Sequence, residues 1–419
     1  MRNIKKISKV NIHFNQPKGL HIIAFMTFCI CLCIGPFMTI LNSYGDIDLF
    51  YNRNDYLFVI FFAGIFGCIS NYLFGSTKSI VHGLQLIIIA MILSFIHNII
   101  LFSCSVLWIG VAIVIVNLLF NLSAFYLKTD LRRIYGFIGV YSSALLGIAI
   151  GIISYITIFK DMYNFKIFYL FITIFLLVFF LKNSYKLNTS LTNQTERFNI
   201  SFYGVLLIFF IFSFILFYLL QNLNVFSSLN LVILPLSLIY LHILTISNNK
   251  ESGINLLKYV YFSLGLLAVN KIFYLSFLRY ENVMNPKYLN SPLSTSLFLL
   301  AGYFICIIIY FGWRFKLITL RIESITKSHI IKTMLYIETF RVFILMIAIF
   351  TNNVLFCNLA LIFATILALV LNIFIVPIYF SLGKILAGGR NEVITTSLLY
   401  LIFSSLIFVS FLYDISISL

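Results

Sequence analysis

TDLRRIYGFIGVYSSALLGIAIG, residues 129–151, sets a short basic loop directly against an apolar helix. Asp130, Arg132 and Arg133 cannot sit in hydrocarbon, and cations next to a span favour the cytoplasmic side of a membrane. Behind them, Gly139, Ser143, Gly147 and Gly151 recur every four residues and so share one helix face. Small residues at that spacing let a second helix approach backbone to backbone, where lipid offers no hydrophobic drive between helices. The stretch therefore predicts a cytoplasmic loop entering a membrane helix whose glycine face is a packing seam, either a generic one against a neighbouring helix or one at the contact between bundles.

Working outward, the class follows from composition. The chain has 419 residues, 62% of them hydrophobic and only 10% charged, with a mean hydropathy of +1.07. That balance excludes a water-soluble domain. Apolar runs of membrane-spanning length repeat from end to end, which predicts an all-α polytopic membrane protein. A net charge of +16 would suggest nucleic acid in a soluble protein. Here the cations sit in short loops between spans, and nucleic acid is not needed to explain them. The seven cysteines (29, 31, 33, 68, 104, 306, 357) lie in or beside apolar runs, with no C-x-x-C pair and no histidine cluster, so no metal or cofactor is implied. Residues Met1 to Gly19 are polar and basic, and the span after them reads as a retained helix.

Thirteen spans are expected, at about 20–42, 56–74, 79–98, 104–127, 135–158, 164–182, 201–221, 225–246, 257–279, 294–313, 330–350, 354–382 and 394–413. With the N-terminus cytoplasmic, only Arg53, Lys160, Lys166, Arg279 and Lys287 fall on the outer side, and Lys271 and Arg341 within spans. The remaining cations fall inside, which supports that orientation. The polar stretch from Lys182 to Asn199 divides the chain: residues 1–186 as a six-helix N-terminal bundle, 187–200 as a cytoplasmic linker, 201–256 as an inserted helix pair, and 257–419 as an incomplete C-terminal bundle. The outer loops are short, which argues against an enzyme acting on an extracytoplasmic substrate.

Acidic residues are informative by position. All except Glu338 fall in loops or at span ends. A proton-driven carrier buries a titratable carboxylate, and Glu338 stands three residues before Arg341, where the two can neutralise each other. Lys271 lies about 20 Å along its span. At that depth it either snorkels to the outer headgroups or contacts solute in a cavity.

Several segments resemble the proton-dependent oligopeptide transporter (POT/PTR) family of the major facilitator superfamily. Asn71-Tyr72-Leu73-Phe74-Gly75-Ser76-Thr77-Lys78-Ser79-Ile80, with Gly83, is similar to the family's loop after the second helix. Arg132-Arg133 with Gly136-Phe137, Tyr141 and Gly147 resembles its fifth-helix signature, and Asn372 through Pro377 to Lys384 its tenth-helix motif. Pro17-Lys18-Gly19-Leu20 and Gly35 resemble the entry to the first helix. The resemblance implies a two-bundle carrier with two extra helices, here at 201–246, between the bundles.

The departures are coordinated. The family's first-helix coupling glutamates, its arginine and its substrate-facing tyrosines fall on Met26, Cys29, Ile30, Cys31, Cys33 and Ile34. Its fourth-helix lysine falls on Asn121, its signature asparagine on Leu145 and its tenth-helix glutamate on Asn372, while Tyr141 is kept. The last core helix is missing from the pattern. Removing partnered charges together avoids leaving one buried and orphaned.

The expectation is a secondary carrier in the cell membrane, of the bacterial inner-membrane type, moving a peptide- or amino-acid-like solute by alternating access. Tyr141, Lys271, Asn121 and Asn372 are the expected substrate-binding residues, and the bilayer and a small-molecule solute the expected partners. Two alternatives stay open: a non-transporting sensor or scaffold, and a lipid-linked oligosaccharide flippase. The flippase would call for more cavity cations than are seen.

Overall fold

The computed structural model describes residues 16–40, 55–96, 99–127, 130, 132–159, 162–187, 202–221, 223–248, 254, 257–266, 268, 292–315, 329–351, 354–386, 395–396, 398–399 and 402–403. Among them, regular structure is helical throughout. The physical reason is that a backbone in hydrocarbon has no water to satisfy its N–H and C=O groups, so an apolar run closes its hydrogen bonds within itself.

The helices are α1 (Leu20–Ile40), α2 (Asp55–Phe74), α3 (Ser76–Leu93), α4 (Ile100–Ala124), α5 (Arg132–Ser154, continued by a π-turn at Tyr155–Phe159) and α6 (Met162–Asn183). Then come α7 (Phe202–Gln221), α8 (Leu223–Asn248), α9 (residues 257–266), α10 (Pro292–Arg314), α11 (His329–Thr351), α12 (Val354–Ser381) and the short α13 (Gly383–Leu386). Six helical stretches among the described residues are long and apolar enough to cross a membrane: Ser76–Leu93, Phe102–Ala124, Arg132–Phe159, Tyr163–Lys186, Ser296–Arg314 and Ile362–Ser381. Apolar side chains also cover the outside, as with Phe171, Val178, Ile308 and, 86% exposed, Phe350. A water-soluble monomer does not carry such a surface, whereas lipid accommodates it. The chain is a multi-pass integral membrane protein.

Helix positions follow the apolar runs closely. The third differs, starting at Ser76 and ending at Leu93 rather than running over 79–98. Gly75 is the cause: its φ of 78° suits glycine, and it turns the chain from α2 into α3 within a single residue. At the other end, the Ser94 hydroxyl donates to the Met91 carbonyl, and Lys166 Nζ donates to the Ser94 carbonyl at 2.8 Å, fixing where α3 stops.

The first six helices pack as one group, with α4 against α2 and α3, and α1 against α5. Polar contacts join them at the α2–α3 corner. Ser70 Oγ donates to Ser79 Oγ at 2.7 Å, Asn71 Nδ2 to Asn117 Oδ1 at 2.7 Å, and Asn117 Nδ2 to the Gly67 carbonyl at 3.1 Å and, within α4 itself, to the Ile113 carbonyl at 2.8 Å. Each interhelical bond of this kind contributes on average about 0.6 kcal/mol in a bilayer.

The glycine face of α5 is a packing seam, as its spacing suggested, but it lies within the first group of helices and not at the contact between bundles. Gly147 and Gly151 meet α1 within the first group, against the Phe28 and Leu32 carbonyls, and Gly35 of α1 answers them at Ile148. Contact with the second half comes through α5 packing on α10 and α12. In that half α12 packs on α11 and α10, and Tyr379 Oη donates to the Leu399 carbonyl at 2.9 Å, tying residues 398–399 to α12.

Candidate functional site

The junction of α5, α10 and α12 brings the two halves together, and three contacts set its register. Tyr135 stacks on Trp313, with ring centroids 4.2 Å apart and planes 14° from parallel. Tyr141 neighbours Cys306. Leu145 lies against Gly302, which also faces Leu369 of α12. Advancing along α5 while retreating along α10 identifies an antiparallel pair, with Gly302 allowing Leu145 close approach.

Asn372 is one turn beyond Leu369 on α12. Tyr141 and Cys306 are each one turn from the Leu145–Gly302 contact, and connectivity makes the direction the same on all three helices. Tyr141, Cys306 and Asn372 therefore stand at one level of the junction, half-buried, buried and half-buried respectively. A phenol, a thiol and a carboxamide offer hydrogen bonds at that level without a full charge. Gly139 adds open space on the same helix, because nothing lies within 4 Å of where its Cβ would be.

Asn121 sits elsewhere. It is fully buried on α4 and accepts a 2.8 Å hydrogen bond from Ser76 Oγ at the α2–α3 corner. Its Nδ2 is buried with no hydrogen-bond partner among the described residues. Lys271 lies outside the described residues. The structure thus brings the helices of Tyr141 and Asn372 together and gives Asn121 a packing partner in the first helix group.

Arg133 escaped the sequence reading. Grouped there with a cytoplasmic loop, it lies in the first turn of α5, fully buried, and its Nη2 donates to Ser123 Oγ at 3.0 Å. Arg132 turns outward to Asp130 at 2.8 Å, and Asp130 Oδ1 accepts from the Arg132 backbone N–H, so that Asp130 caps α5. The loop is pinned by Tyr126, whose hydroxyl donates to Gln16 Oε1 at 2.6 Å. Burial, and then the nearby Asp130 carboxylate, holds the Tyr126 phenol above its usual range, so it remains a donor at neutral pH. The sequence signal was the pair of adjacent arginines: on a helix the two cannot face the same way.

Glu338 and Arg341 do pair. Arg341 Nε donates to Oε2 at 2.9 Å and Nη2 to Oε1 at 2.6 Å, with both side chains almost wholly buried. No other carboxylate is buried among the described residues.

No protein-family model matches the sequence, and neither does any curated protein. Solved structures do. A POT family transporter in complex with 5-aminolevulinic acid superposes with a TM-score of 0.66 at 17% identity, over 97% of this chain and 92% of that one. Peptide transporter POT in complex with sulfate gives 0.63 at 16% identity, over 96% and 89%. A bacterial homologue of the human drug peptide transporters PepT1 and PepT2 gives 0.61 at 10% identity, over 94% and 88%. Matches that cover 94–97% of the chain at TM-scores of 0.61–0.66 fix the architecture: the chain has the fold of the POT family peptide transporters.

Proposed function

We propose that this protein is a secondary carrier that moves a small peptide- or amino-acid-like solute by alternating access, without the proton-coupling carboxylates usual in the family it resembles. One observation carries the uncoupled part. Among the described residues the sole buried carboxylate, Glu338, is held in a two-bond ion pair with Arg341, and the level shared by Tyr141, Cys306 and Asn372 holds only neutral polar groups. A proton relay needs a group that binds and releases H⁺ within the cycle. The solute class is supported by neighbours crystallised with 5-aminolevulinic acid and with a thioalcohol-conjugated peptide.

Tyr141 and Asn372 are the proposed solute contacts at the α5–α12 junction, with Lys271 supplying a cation for a solute carboxylate. Asn121 reaches solute only when α4 moves away from Ser76, which would free its amide. The proposed topology has about thirteen spans and a cytoplasmic N-terminus, because the positive-inside pattern supports both. Its bundles are residues 1–186 and 257–419, with the linker at 187–200 and the inserted pair at 201–256. A non-transporting sensor or scaffold is the second reading, favoured by the tight seam at Tyr135–Trp313 and Leu145–Gly302.

Thermal-shift titration of the purified protein with amino acids, 5-aminolevulinic acid and di- and tripeptides tests the proposal. A saturable shift that is lost in Tyr141→Ala supports a carrier. No shift with any of them favours the scaffold.

A further inference from the structure

At the Arg133 end, the residues just before α1 reach the seam between the two helical halves. α1 opens in a turn, with the Leu20 N–H donating to the Pro17 carbonyl at 3.0 Å, and Gly19 backs onto the Phe125 ring. Gln16 reaches further. Its Oε1 accepts from the Tyr126 hydroxyl at 2.6 Å, and its Nε2 donates to the Arg132 carbonyl at 3.4 Å. Tyr126 stands two residues beyond the end of α4, where the helix no longer fixes it, yet it is 1% exposed. Its hydroxyl lies over Gly136 of α5, where any side chain would displace it, and Tyr310 of α10 is within electrostatic reach of the phenol. Tyr310 in turn meets Trp313 at 5.9 Å, and Trp313 stacks on Tyr135. A chain of contacts thus runs from Gln16 through Tyr126 to the rings that join the halves.

Burial shows which end is shut. Connectivity brings the ends of α10 and α12 to the Arg133 end, where residues 133–138 of α5 and 377–383 of α12 are buried without a break. At mid-depth, residues 141–144 and 365–370 include no buried position, although each stretch covers a full turn of helix. We infer that the structure is the state closed at the Arg133 end, and that Gln16 is its latch: the bond to Tyr126 holds that ring against Gly136 and beside Tyr310, and opening this end requires the bond to break. Gln16 is itself half-buried, so water can take its place when the halves part. This rests on the carrier reading, since a protein with a single conformation has no end to open.

The test is spin-label distance measurement on the full chain in lipid nanodiscs, with a ketone-bearing unnatural amino acid as attachment point so that the seven cysteines stay untouched. Tyr185 and Lys332, both exposed, report the Arg133 end; Tyr163 and Leu293, both exposed, report the opposite end. In the wild type the short 185–332 distance is expected to dominate. Gln16→Ala and Tyr126→Phe should each raise the long-distance population about two- to ten-fold, the range that loss of one hydrogen bond gives. Because both remove the same bond, the double variant should go no further than the larger single effect. The long-distance share for 163–293 should fall in step. Two populations at 185–332 that neither substitution changes, or effects that add in the double variant, would overturn the latch and leave the carrier standing. One unchanging distance at both ends in every variant, with and without 5-aminolevulinic acid and dipeptides, would overturn both.

Discussion

Four glycines in two helices give opposite predictions for one chemical change, the addition of a methyl group. At Gly35 a Cβ would stand 2.6 Å from the Ile148 carbonyl oxygen, where ordinary contact begins near 3.4 Å. Backbone cannot rotate aside as a side chain can, so α1 and α5 would have to part by about 0.8 Å. Gly147 and Gly151 face the Phe28 and Leu32 carbonyls more closely still. Overpacking of this kind costs about 1–3 kcal/mol. Against it stands a gain of up to about 1 kcal/mol from replacing a helical glycine with alanine. Gly151→Ala and Gly147→Ala should therefore lose stability. Gly139→Ala, with open space at its Cβ, should be neutral or gain up to about 1 kcal/mol. Reversible unfolding in bicelles, followed by steric trapping, measures each difference. Equal effects at Gly139 and Gly151, or no loss at Gly151, would refute the α1–α5 packing described above.

Further outcomes follow from the polar contacts. Asn117→Ala removes the partner of the buried Asn71 amide and should destabilise by about 1–3 kcal/mol, with a coupling near 0.6 kcal/mol in a double-mutant cycle with Asn71→Ala. Arg341→Met leaves Glu338 buried without its guanidinium and should cost about 3–5 kcal/mol, whereas Glu338→Leu/Arg341→Met together should lie near wild type, both read by the same unfolding assay. In a Trp108→Phe background Trp313 is the remaining tryptophan, so its emission should shift to the red in Tyr135→Ala and stay in place in Tyr135→Phe, which keeps the stacked ring.

Most helices were legible because an apolar run in lipid has one way to satisfy its backbone, and the bounds of α1, α2 and α12 follow the hydropathy within a few residues. Which helix meets which was not legible. A four-residue repeat drifts about 40° per step around a helix of 3.6 residues per turn, so Gly151 has turned roughly 120° from Gly139. Gly139 consequently faces open space while Gly151 faces α1. The same limit applied to the site residues. Asn121 sits at i+4 from Asn117, and that spacing fits a packing ladder as well as a cavity wall. The hydrogen bond to Ser76 assigns it to the ladder in this conformation. Arg133 was hidden by its neighbour: hydropathy places both arginines in water, whereas the helix start at Arg132 turns one outward to Asp130 and one inward to Ser123. Tyr141 and Asn372 were reached through the resemblance rather than from spacing, since nothing local marks a half-buried tyrosine or asparagine on a membrane helix as a ligand contact.

Among the described residues no titratable carboxylate stands at the α5–α10–α12 level, which bears directly on the proposed energetics, and uptake into proteoliposomes tests it. With 5-aminolevulinic acid and dipeptides as solutes, the account predicts saturable uptake down the solute's own gradient, unchanged by an inward proton gradient. Uptake that appears only when the outside is acidified, or accumulation of solute driven by the proton gradient, would contradict it.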